Sequence, residues 1–310
     1  MLTTAILRLC DYLFVLRPLI LIPAWSFYLI GAAQGRTPEA GWSMGFPSPP
    51  VFLSLTTILI TAYLLNQVFD RESDEKNDKC FYLARRIFHA RTLIILAIAS
   101  FLIASTFFKQ VQGTRRALLL GALLLSLFYS LPPLRLCARP FVDMLANAAG
   151  YGGLAYILGY GIYQPVLDTV AAASPFVLLV AATFLHTAIL DVEGDRDTGK
   201  TSTAVFLGGV ASRRLAAVLH LSAVIAAILT HNGTALIITG VLAPMNAYAI
   251  VRAGRETSAI LVQVNTAVVA VAAVASWPAY ALLVAPIVLL SRFYYKKRFG
   301  IIYPGPQKTA

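Results

Sequence analysis

The stretch VFLSLTTILITAYLLNQVFDRESDEKND, residues 51–78, decides the class of fold, because a long apolar run ends in a dense acidic cluster. About 20 apolar residues cross the hydrocarbon core of a bilayer as one helix. A backbone in lipid must satisfy its own hydrogen bonds, and no alternating β-barrel pattern is visible. The stretch therefore predicts a transmembrane helix with an acidic end at one membrane surface.

The composition extends this interpretation to the whole chain. Of its 310 residues, 58% are hydrophobic and only 13% are charged. Soluble domains carry about 25% charged residues, so a soluble enzyme or a nucleic-acid-binding domain is excluded. Ten apolar runs predict an all-α integral membrane protein of nine or ten helices, one polytopic domain over residues 1–310. The runs fall at 11–33, 51–69, 92–108, 117–131, 141–161, 170–190, 213–230, 234–251, 258–276 and 279–291.

The basic residues predict the orientation. Lys and Arg collect in cytoplasmic loops of polytopic proteins. With a cytoplasmic N-terminus and ten crossings, 21 of the 25 Lys and Arg residues lie on the cytoplasmic side, whereas nine crossings leave 16 there. We therefore expect a multi-pass protein of the cell inner membrane. Its acidic loops, 66–91 and 191–212, face the cytoplasm.

Nine of the 14 Asp and Glu residues lie in two short segments, 70–78 and 191–197. The first segment follows the second apolar run, and the second segment follows the sixth. The chain crosses the membrane four times between them, so both segments lie at the same surface. Residues four apart share one face of a helix, and such pairs recur in both segments. These positions are Asn66, Asp70 and Asp74 in the first and Asp191 and Asp195 in the second.

Carboxylates stacked on one face repel each other and need a counter-charge. Mg²⁺ typically takes one or two carboxylates and completes its shell with water and phosphate oxygens. Arg71, Arg196 and Lys200 are interleaved with the acids. Carboxylates, Mg²⁺ and basic side chains together form a clamp for a diphosphate. At the surface of an apolar bundle, this clamp predicts a lipid diphosphate as the ligand.

Two other interpretations apply to acidic clusters in membrane proteins. The first is an ordinary solvated loop, which explains one acidic cluster but not two clusters of matching spacing at one surface. The second is a cation transporter, but the acids of transporters lie near the bilayer midplane. The acids here lie at helix ends, which favours a surface site.

These segments resemble a known family. NQVFDRESD, residues 66–74, is similar to the first acidic motif of the UbiA superfamily of intramembrane prenyltransferases, and DVEGDRDTGKTST, residues 191–203, to the second. LRP at 16–18 and YSLPPLRL at 129–136 resemble the entry to the first helix and the segment after the fourth. Together these matches cover most of the chain.

The resemblance implies a bundle of nine helices around a central cavity. It implies Mg²⁺-dependent transfer of an isoprenyl group from a prenyl diphosphate to a lipophilic acceptor, with two Mg²⁺ ions bridged by the diphosphate. The expected partners are this donor, the acceptor and membrane lipid, without nucleic acid. By position, the metal ligands are Asn66, Asp70, Asp74, Asp191 and Asp195, and the four aspartates are catalytic. The predicted substrate-binding residues are Asn66, Arg71, Tyr129, Arg135, Arg196, Lys200, Arg17 and Asn147.

Three positions depart from the family pattern. Gln67 stands where many members have Asp, which keeps a hydrogen-bonding group but removes a charge. Cys137 stands where the pattern has Lys, so that cation is missing unless Arg139 replaces it. An arginine that follows the first motif in many members is also absent, with Arg85 or Arg86 as replacements. These changes concern the grip on the diphosphate and the choice of acceptor.

An allylic cation needs a dry pocket with π faces. The candidate aromatic residues are Tyr63, Phe69, Phe128, Tyr129, Tyr151 and Tyr156. His186 is either a proton acceptor or a helix–helix hydrogen bond, and Asp143 is a second polar candidate. Glycines 152 and 159 favour close helix packing. A terpene cyclase on the same scaffold, which needs no acceptor, has the same motifs and stays open.

Overall fold

The computed structural model describes residues 2–36, 46–77, 81–161, 166–301 and 303, and the regular elements of these residues are all helical. The prediction of an all-α protein is confirmed. The first half contains α1 (Leu2–Phe14), α2 (Pro18–Gly35), α3 (Pro49–Phe69), α4 (Arg71–Lys76), α5 (Phe81–Ala84), α6 (Ala90–Phe108) and α7 (Gly113–Ser130). The second half contains α8 (Val142–Asn147), a π-helical segment (Ala148–Ala155), α9 (Tyr156–Tyr160), α10 (Val166–Asp197), α11 (Thr203–Leu229), α12 (Gly233–Val251), α13 (Arg255–Ser276) and α14 (Ala281–Phe299).

Within the described residues, eight helical stretches are long and apolar enough to cross a membrane. They correspond to α2, α3, α6 and α10 to α14, the last stretch starting at Pro278. The other two predicted runs fall on α7 and on the stretch from α8 to α9, which the π-helical segment interrupts. The chain is a multi-pass membrane protein. The number of crossings, nine or ten, stays a prediction.

The last two apolar runs form two separate helices joined at Trp277. The Arg36 guanidinium lies 4.2 Å from the ring of Trp277, at the end of α2 that is remote from the acidic motifs. At the far end of α14, Arg298 donates two hydrogen bonds to Asp11 of α1, each 3.0 Å long. Helix α14 therefore returns along the bundle to the end that carries α1.

Glycines allow α2 and α9 to touch along their backbones. A Cβ atom at Gly31 would lie 2.2 Å from the carbonyl oxygen of Tyr156, and one at Gly159 would lie 1.9 Å from that of Tyr28. No side chain fits at either position. The packing role predicted for Gly159 is thus observed.

The half of the bundle remote from the acidic motifs has a filled interior. Tyr28, Tyr156 and Phe176 are fully buried, and the rings of Tyr156 and Phe176 are 4.9 Å apart. The Tyr156 hydroxyl donates to Gln34 Oε1 at 2.5 Å. This packed half supports the opposite end, where the acidic motifs lie.

Candidate active site

The first acidic motif bends its helix at Asp70. Helix α3 ends at Phe69, Asp70 has φ −99° and ψ 14°, and α4 begins at Arg71. The amide of Asp70 still donates to the carbonyl of Asn66, and the amide of Asp74 to that of Asp70, both at 2.8 Å. The four-residue repeat therefore continues through the bend. Asn66 Nδ2 donates to Asp70 Oδ2 at 2.7 Å, while Asp78 lies outside the described residues.

The second motif stays helical almost to its end. Helix α10 continues to Asp197, and α11 begins at Thr203. The predicted loop over 191–212 is therefore wrong in extent, since only residues 198–202 lie between these helices. Gly199 has φ +72°, a left-handed conformation that suits glycine and ends helices.

Lys200 joins the two motifs. Its Nζ lies 3.4 Å from Asp70 Oδ2 and 3.4 Å from Asp195 Oδ1. Asp70 is 5% exposed and Asp195 is 2% exposed. Burial of the ammonium acts to lower the pKa of Lys200, but the two carboxylates raise it above its ordinary value. Two buried acids from distant segments thus share one charged counter-ion. Asp70, Lys200 and Asp195 form a charged junction between the two motifs.

Arg135 adds a second positive charge to this junction. Its Nη2 donates to Asp70 Oδ1 at 3.2 Å, on the side of the carboxylate away from Lys200. The guanidinium remains partly exposed, so it reaches both the buried acid and solvent. Arg135 and Lys200 thus contact the two oxygens of one buried carboxylate.

Cys137 lies against the same acid. Its Sγ is 3.9 Å from Asp70 Oδ1, and burial together with the Asp70 charge raises the pKa of the Cys137 thiol to about 12. The thiol is therefore neutral at physiological pH. Arg139 does not replace the missing cation, because it is directed to the carbonyl of Leu134 at 2.6 Å. Lys200 supplies the charge at this place.

The other two predicted aspartates lie beside the junction. Asp74 Oδ2 is 3.8 Å from Arg17 Nη2, so the predicted binding residue Arg17 meets the first motif. The backbone carbonyl of Asp191 accepts a hydrogen bond from Asn77 Nδ2 at 3.1 Å, and its side chain is partly exposed. Lys200 contacts Asp70 and Asp195, not these two.

Arg71 and Arg196 lie outside the junction. Both are exposed, and in the part of the chain that the structure describes neither forms an ion pair. Their helices, α4 and α10, turn other residues toward the interior. They surround the site at its solvent side, whereas Lys200 and Arg135 are in contact with the buried acids.

Ser73 and Asn77 complete the contact between the motifs, and the sequence interpretation missed both. Ser73 Oγ donates to Asp195 Oδ1 at 2.5 Å, and Asn77 Oδ1 accepts from the amide of Gly194 at 3.0 Å. A Cβ atom at Gly194 would lie 2.5 Å from the Asn77 side chain. Gly194 was the available signal, because a glycine inside a helical motif indicates a close approach.

The donor set fits a cation that arrives with its ligand. Within the described residues, no three His, Cys, Asp or Glu side chains form a ready metal cage. Asp70 and Asp195 nevertheless present buried carboxylate oxygens on either side of a single ammonium group. Mg²⁺ needs only one or two carboxylates when phosphate oxygens and water fill its shell. The residues therefore fit Mg²⁺ bound together with a diphosphate.

Polar contacts continue below the junction. Asn66 Nδ2 donates to Ser130 Oγ of α7 at 3.2 Å. Asn147 Nδ2 of α8 donates to the Tyr129 hydroxyl at 2.8 Å. Two predicted substrate-binding residues, Tyr129 and Asn147, are thus in contact between α7 and α8. One turn further along, the hydroxyls of Tyr63 and Tyr151 are hydrogen-bonded to each other.

Two aromatic candidates are excluded from this interior. Phe69 is 39% exposed and Phe128 is 41% exposed, so both face outward. Tyr63 and Tyr156 are buried. The outward pair lies on the same helices as the interior residues but on the opposite faces.

Two buried polar residues have structural contacts. Asp143 accepts hydrogen bonds from the amide of Thr203 at 2.8 Å and the amide of Met144 at 2.7 Å, and also from the Thr203 hydroxyl. It therefore fixes the start of α11, three residues after Lys200. His186 Nδ1 lies 3.2 Å from Ser258 Oγ, which joins α10 to α13.

The remaining departures from the family pattern also have structural contacts. Gln67 is fully buried and donates to the carbonyls of Val15 at 3.0 Å and Tyr63 at 3.1 Å. It fixes the segment that precedes Arg17. Arg85 lies 5.1 Å from the ring of Phe299, away from the acidic motifs.

The chain is similar to known proteins along most of its length. The model of the UbiA prenyltransferase family matches residues 20–258. A lycopene elongase/hydratase of Haloarcula japonica is 33% identical over 149 residues, which are 47% of this chain and 49% of the relative. The chain therefore spans about half the length of that relative. A lycopene elongase/hydratase of Halobacterium salinarum is 30% identical over 218 residues, 66% of this chain and 74% of the relative.

Solved structures share the fold. A UbiA homolog from Archaeoglobus fulgidus bound to GPP and Mg²⁺ superposes with a TM-score of 0.67 at 20% identity, over 86% of this chain and 99% of that one. A UbiA homolog from Aeropyrum pernix K1 superposes with a TM-score of 0.64 at 18% identity, over 82% and 95% of the two chains.

Proposed function

The chain belongs to the UbiA prenyltransferase family, and from this premise we propose that it is an intramembrane enzyme that transfers an isoprenyl group to the end of a long polyene of the lycopene type. The reaction depends on Mg²⁺ and releases diphosphate. The Haloarcula and Halobacterium relatives are lycopene elongase/hydratases, which supports this acceptor class.

The buried junction of Asp70, Lys200 and Asp195 carries the proposal. Lys200 contacts a carboxylate of each motif at 3.4 Å, so the two motifs act on one ligand. A site that holds two buried acids and several cations at the mouth of an apolar bundle suits a polyanionic head with a hydrocarbon tail. An allylic diphosphate has this chemistry.

Mg²⁺ bound with the diphosphate would supply positive charge to offset the charge that grows on the leaving group. Asp70 and Asp195 would offer the central oxygen ligands for it, and Asn66, Asp74 and Asp191 would complete the set. Lys200, Arg135 and Arg17 hold the phosphate oxygens by charge-assisted hydrogen bonds. Arg71 and Arg196, which are exposed, attract the anion to the opening.

The reaction breaks the allylic C–O bond and forms a C–C bond to the terminal double bond of the acceptor. The acceptor cation then loses a proton to give an alkene, or takes up water and releases a proton to give an alcohol. Tyr129, Asn147, Tyr63 and Tyr151 line the interior below the junction. The three tyrosine rings stabilise the allylic cation through π faces, and exclusion of water protects it from early hydrolysis.

The site opens on the cytoplasmic face of the cell inner membrane. Two arginines at this end of the bundle, Arg17 and Arg135, contact the motif acids. The excess of Lys and Arg in the loops on this side favours a cytoplasmic position for this face of the protein. A donor made in the cytoplasm would enter from that side.

The test uses purified protein in liposomes that contain lycopene. Dimethylallyl diphosphate is added with Mg²⁺ or with EDTA, diphosphate release is measured, and the organic phase is analysed by mass spectrometry. We expect release that needs Mg²⁺, and a product heavier than lycopene by the prenyl group, with or without one water.

Matched variants make the test specific. Asp70→Asn should abolish release, whereas Glu72→Gln, an exposed acid of the same motif, should retain it. Release without lycopene, with products of the donor's carbon count, would show a cyclase or a hydrolase. No release from dimethylallyl or geranyl diphosphate would contradict the proposal and favour a transporter.

A further inference from the structure

We propose that Tyr63 and Tyr151 form the floor of the donor pocket and restrict the donor to a single isoprene unit. This inference rests on the proposed function and names the donor that the site selects. The two hydroxyls are hydrogen-bonded to each other across the interior. Tyr63 belongs to α3 and Tyr151 to the π-helical segment.

The tyrosine pair lies directly below the junction. Tyr63, Asn66 and Asp70 follow one another at intervals of three and four residues, so they share one face of α3. Seven residues correspond to a rise of about 10 Å along a helix. The floor is therefore about two helical turns below the Asp70 carboxylate.

The hydrogen bonds lock the pair in place. The Tyr63 hydroxyl donates to the carbonyl of Ile20 at 3.1 Å, so the hydrogen in the contact between the tyrosines comes from Tyr151. Each phenol has a single hydrogen to donate. The pair thus connects three segments: α2 through Ile20, α3 through Tyr63 and the π-helical segment through Tyr151.

The π-helical segment explains why Tyr151 reaches this position. π-Helical turns are rare and occur frequently at functional sites, because the wider turn changes the direction of a side chain. Gly152 follows Tyr151, and a Cβ atom there would lie 2.4 Å from the carbonyl oxygen of Phe176. The segment is therefore pressed against α10, and the Tyr151 hydroxyl connects it to Tyr63 of α3.

The space between the floor and the junction is short. It must hold the diphosphate with its cations, whose oxygen ligands lie about 2 Å from Mg²⁺, and then the hydrocarbon. Beyond the floor, Phe27, Tyr28, Tyr156 and Phe176 are each 3% exposed or less. We therefore expect a dimethylallyl group to fit above the rings and the second isoprene unit of a geranyl group to meet them.

The test compares dimethylallyl and geranyl diphosphate as donors in the liposome assay. We expect the kcat/KM of the wild-type protein to be at least about ten-fold higher for the dimethylallyl donor. About ten-fold is the lower end of the discrimination that an apolar pocket shows against one extra methylene group. Tyr151→Ala should shift the ratio toward the geranyl donor by at least about ten-fold. Tyr151→Phe, which keeps the ring and loses only the hydroxyl, should keep the preference.

Further variants separate a floor from a general structural role. Tyr63→Leu and Tyr151→Leu enlarge the space while preserving an apolar core, and they provide the same readout if the alanine variant does not fold. Phe128→Ala, an outward aromatic position, should leave the donor ratio unchanged. A general structural role, or the loss of cation stabilisation alone, would lower the rates with both donors equally and leave their ratio unchanged.

An unchanged donor ratio in the folded alanine and leucine variants would overturn the floor. A wild-type protein that uses both donors equally well would overturn it too. In either case transfer from the dimethylallyl donor would continue, and the proposed function would stand. Failure of the wild-type protein to prenylate the polyene with any donor would remove the proposed function, and the floor with it.

Discussion

The two acidic motifs have the same four-residue spacing, yet the structure uses them in opposite order. In the first motif the earlier aspartate, Asp70, meets Lys200, and in the second the later one, Asp195, does so. The first motif bends at Asp70, whereas the second remains helical to Asp197. Equal spacing thus places acids on one face, and the ends of the helices decide which acid is central.

The comparison divides the four aspartates into an inner and an outer pair. Asp70 and Asp195 are buried and share a counter-ion. Asp74 lies near Arg17 at 3.8 Å, and Asp191 is partly exposed. We expect substitutions in the inner pair to have larger effects than those in the outer pair.

The largest effect should follow substitution of the inner acids. Asp70→Asn and Asp195→Asn each remove a central charge of the clamp and should lower kcat/KM for diphosphate release by at least about 10³-fold. Asp74→Asn and Asp191→Asn should lose less. Glu193→Gln, whose side chain is 81% exposed, is the matched control in the second motif. Equal losses in all four aspartate variants would remove the distinction between the pairs.

The second-largest effect should follow loss of Lys200, the counter-ion that Asp70 and Asp195 share. Lys200→Met leaves two buried carboxylates facing each other, so the protein should unfold at a lower temperature in detergent without Mg²⁺. Mg²⁺ with a non-hydrolysable donor analogue should restore much of the melting temperature. Lys200→Arg should keep more activity than Lys200→Met. A melting temperature of Lys200→Met equal to that of the wild type would contradict the role of Lys200 between the motifs.

A smaller effect should follow at the outer pair. Arg17→Ala removes a charge that lies near Asp74 and should raise KM for the donor by about ten-fold, the value of one charge-assisted hydrogen bond. The fall in kcat should be smaller. Steady-state kinetics with varied donor concentration would measure both values. A fall in kcat with unchanged KM would instead place Arg17 at the reacting bond.

The smallest effect should come from the support of the second motif. Thr203→Val removes the hydroxyl that binds Asp143 and should destabilise the protein by about 1 kcal/mol. Activity should fall only slightly, because the amide of Thr203 still donates to Asp143 at 2.8 Å. Thermal unfolding and diphosphate release, measured on the same preparation, would test this. A large loss of activity with unchanged stability would assign Asp143 to the chemistry.

Much of this architecture could be predicted from the sequence. Long apolar runs indicate membrane helices because the bilayer fixes their length and polarity. The spacing of Asn66 and Asp70 predicted a shared face, and the two are in contact at 2.7 Å. Such features depend on local geometry, which the order of residues determines.

Contacts between distant segments could not be predicted in the same way. The interleaved bases Arg71, Arg196 and Lys200 looked equivalent, but only Lys200 lies between the acids. Ser73 and Arg139 show the same limit: one contacts Asp195 and the other a backbone carbonyl. Which side chain faces inward depends on where α4 meets α10, and the spacing of one segment does not contain this information.

A double-mutant cycle on donor binding tests directly whether the two motifs form one site. The binding of dimethylallyl S-thiolodiphosphate with Mg²⁺ would be measured by calorimetry for the wild type, Asp70→Asn, Asp195→Asn and the double variant. Residues that act as a unit give non-additive losses. We expect the double variant to bind within about three-fold of the weaker single variant. Losses that multiply would show that the motifs bind separately and would refute a shared site.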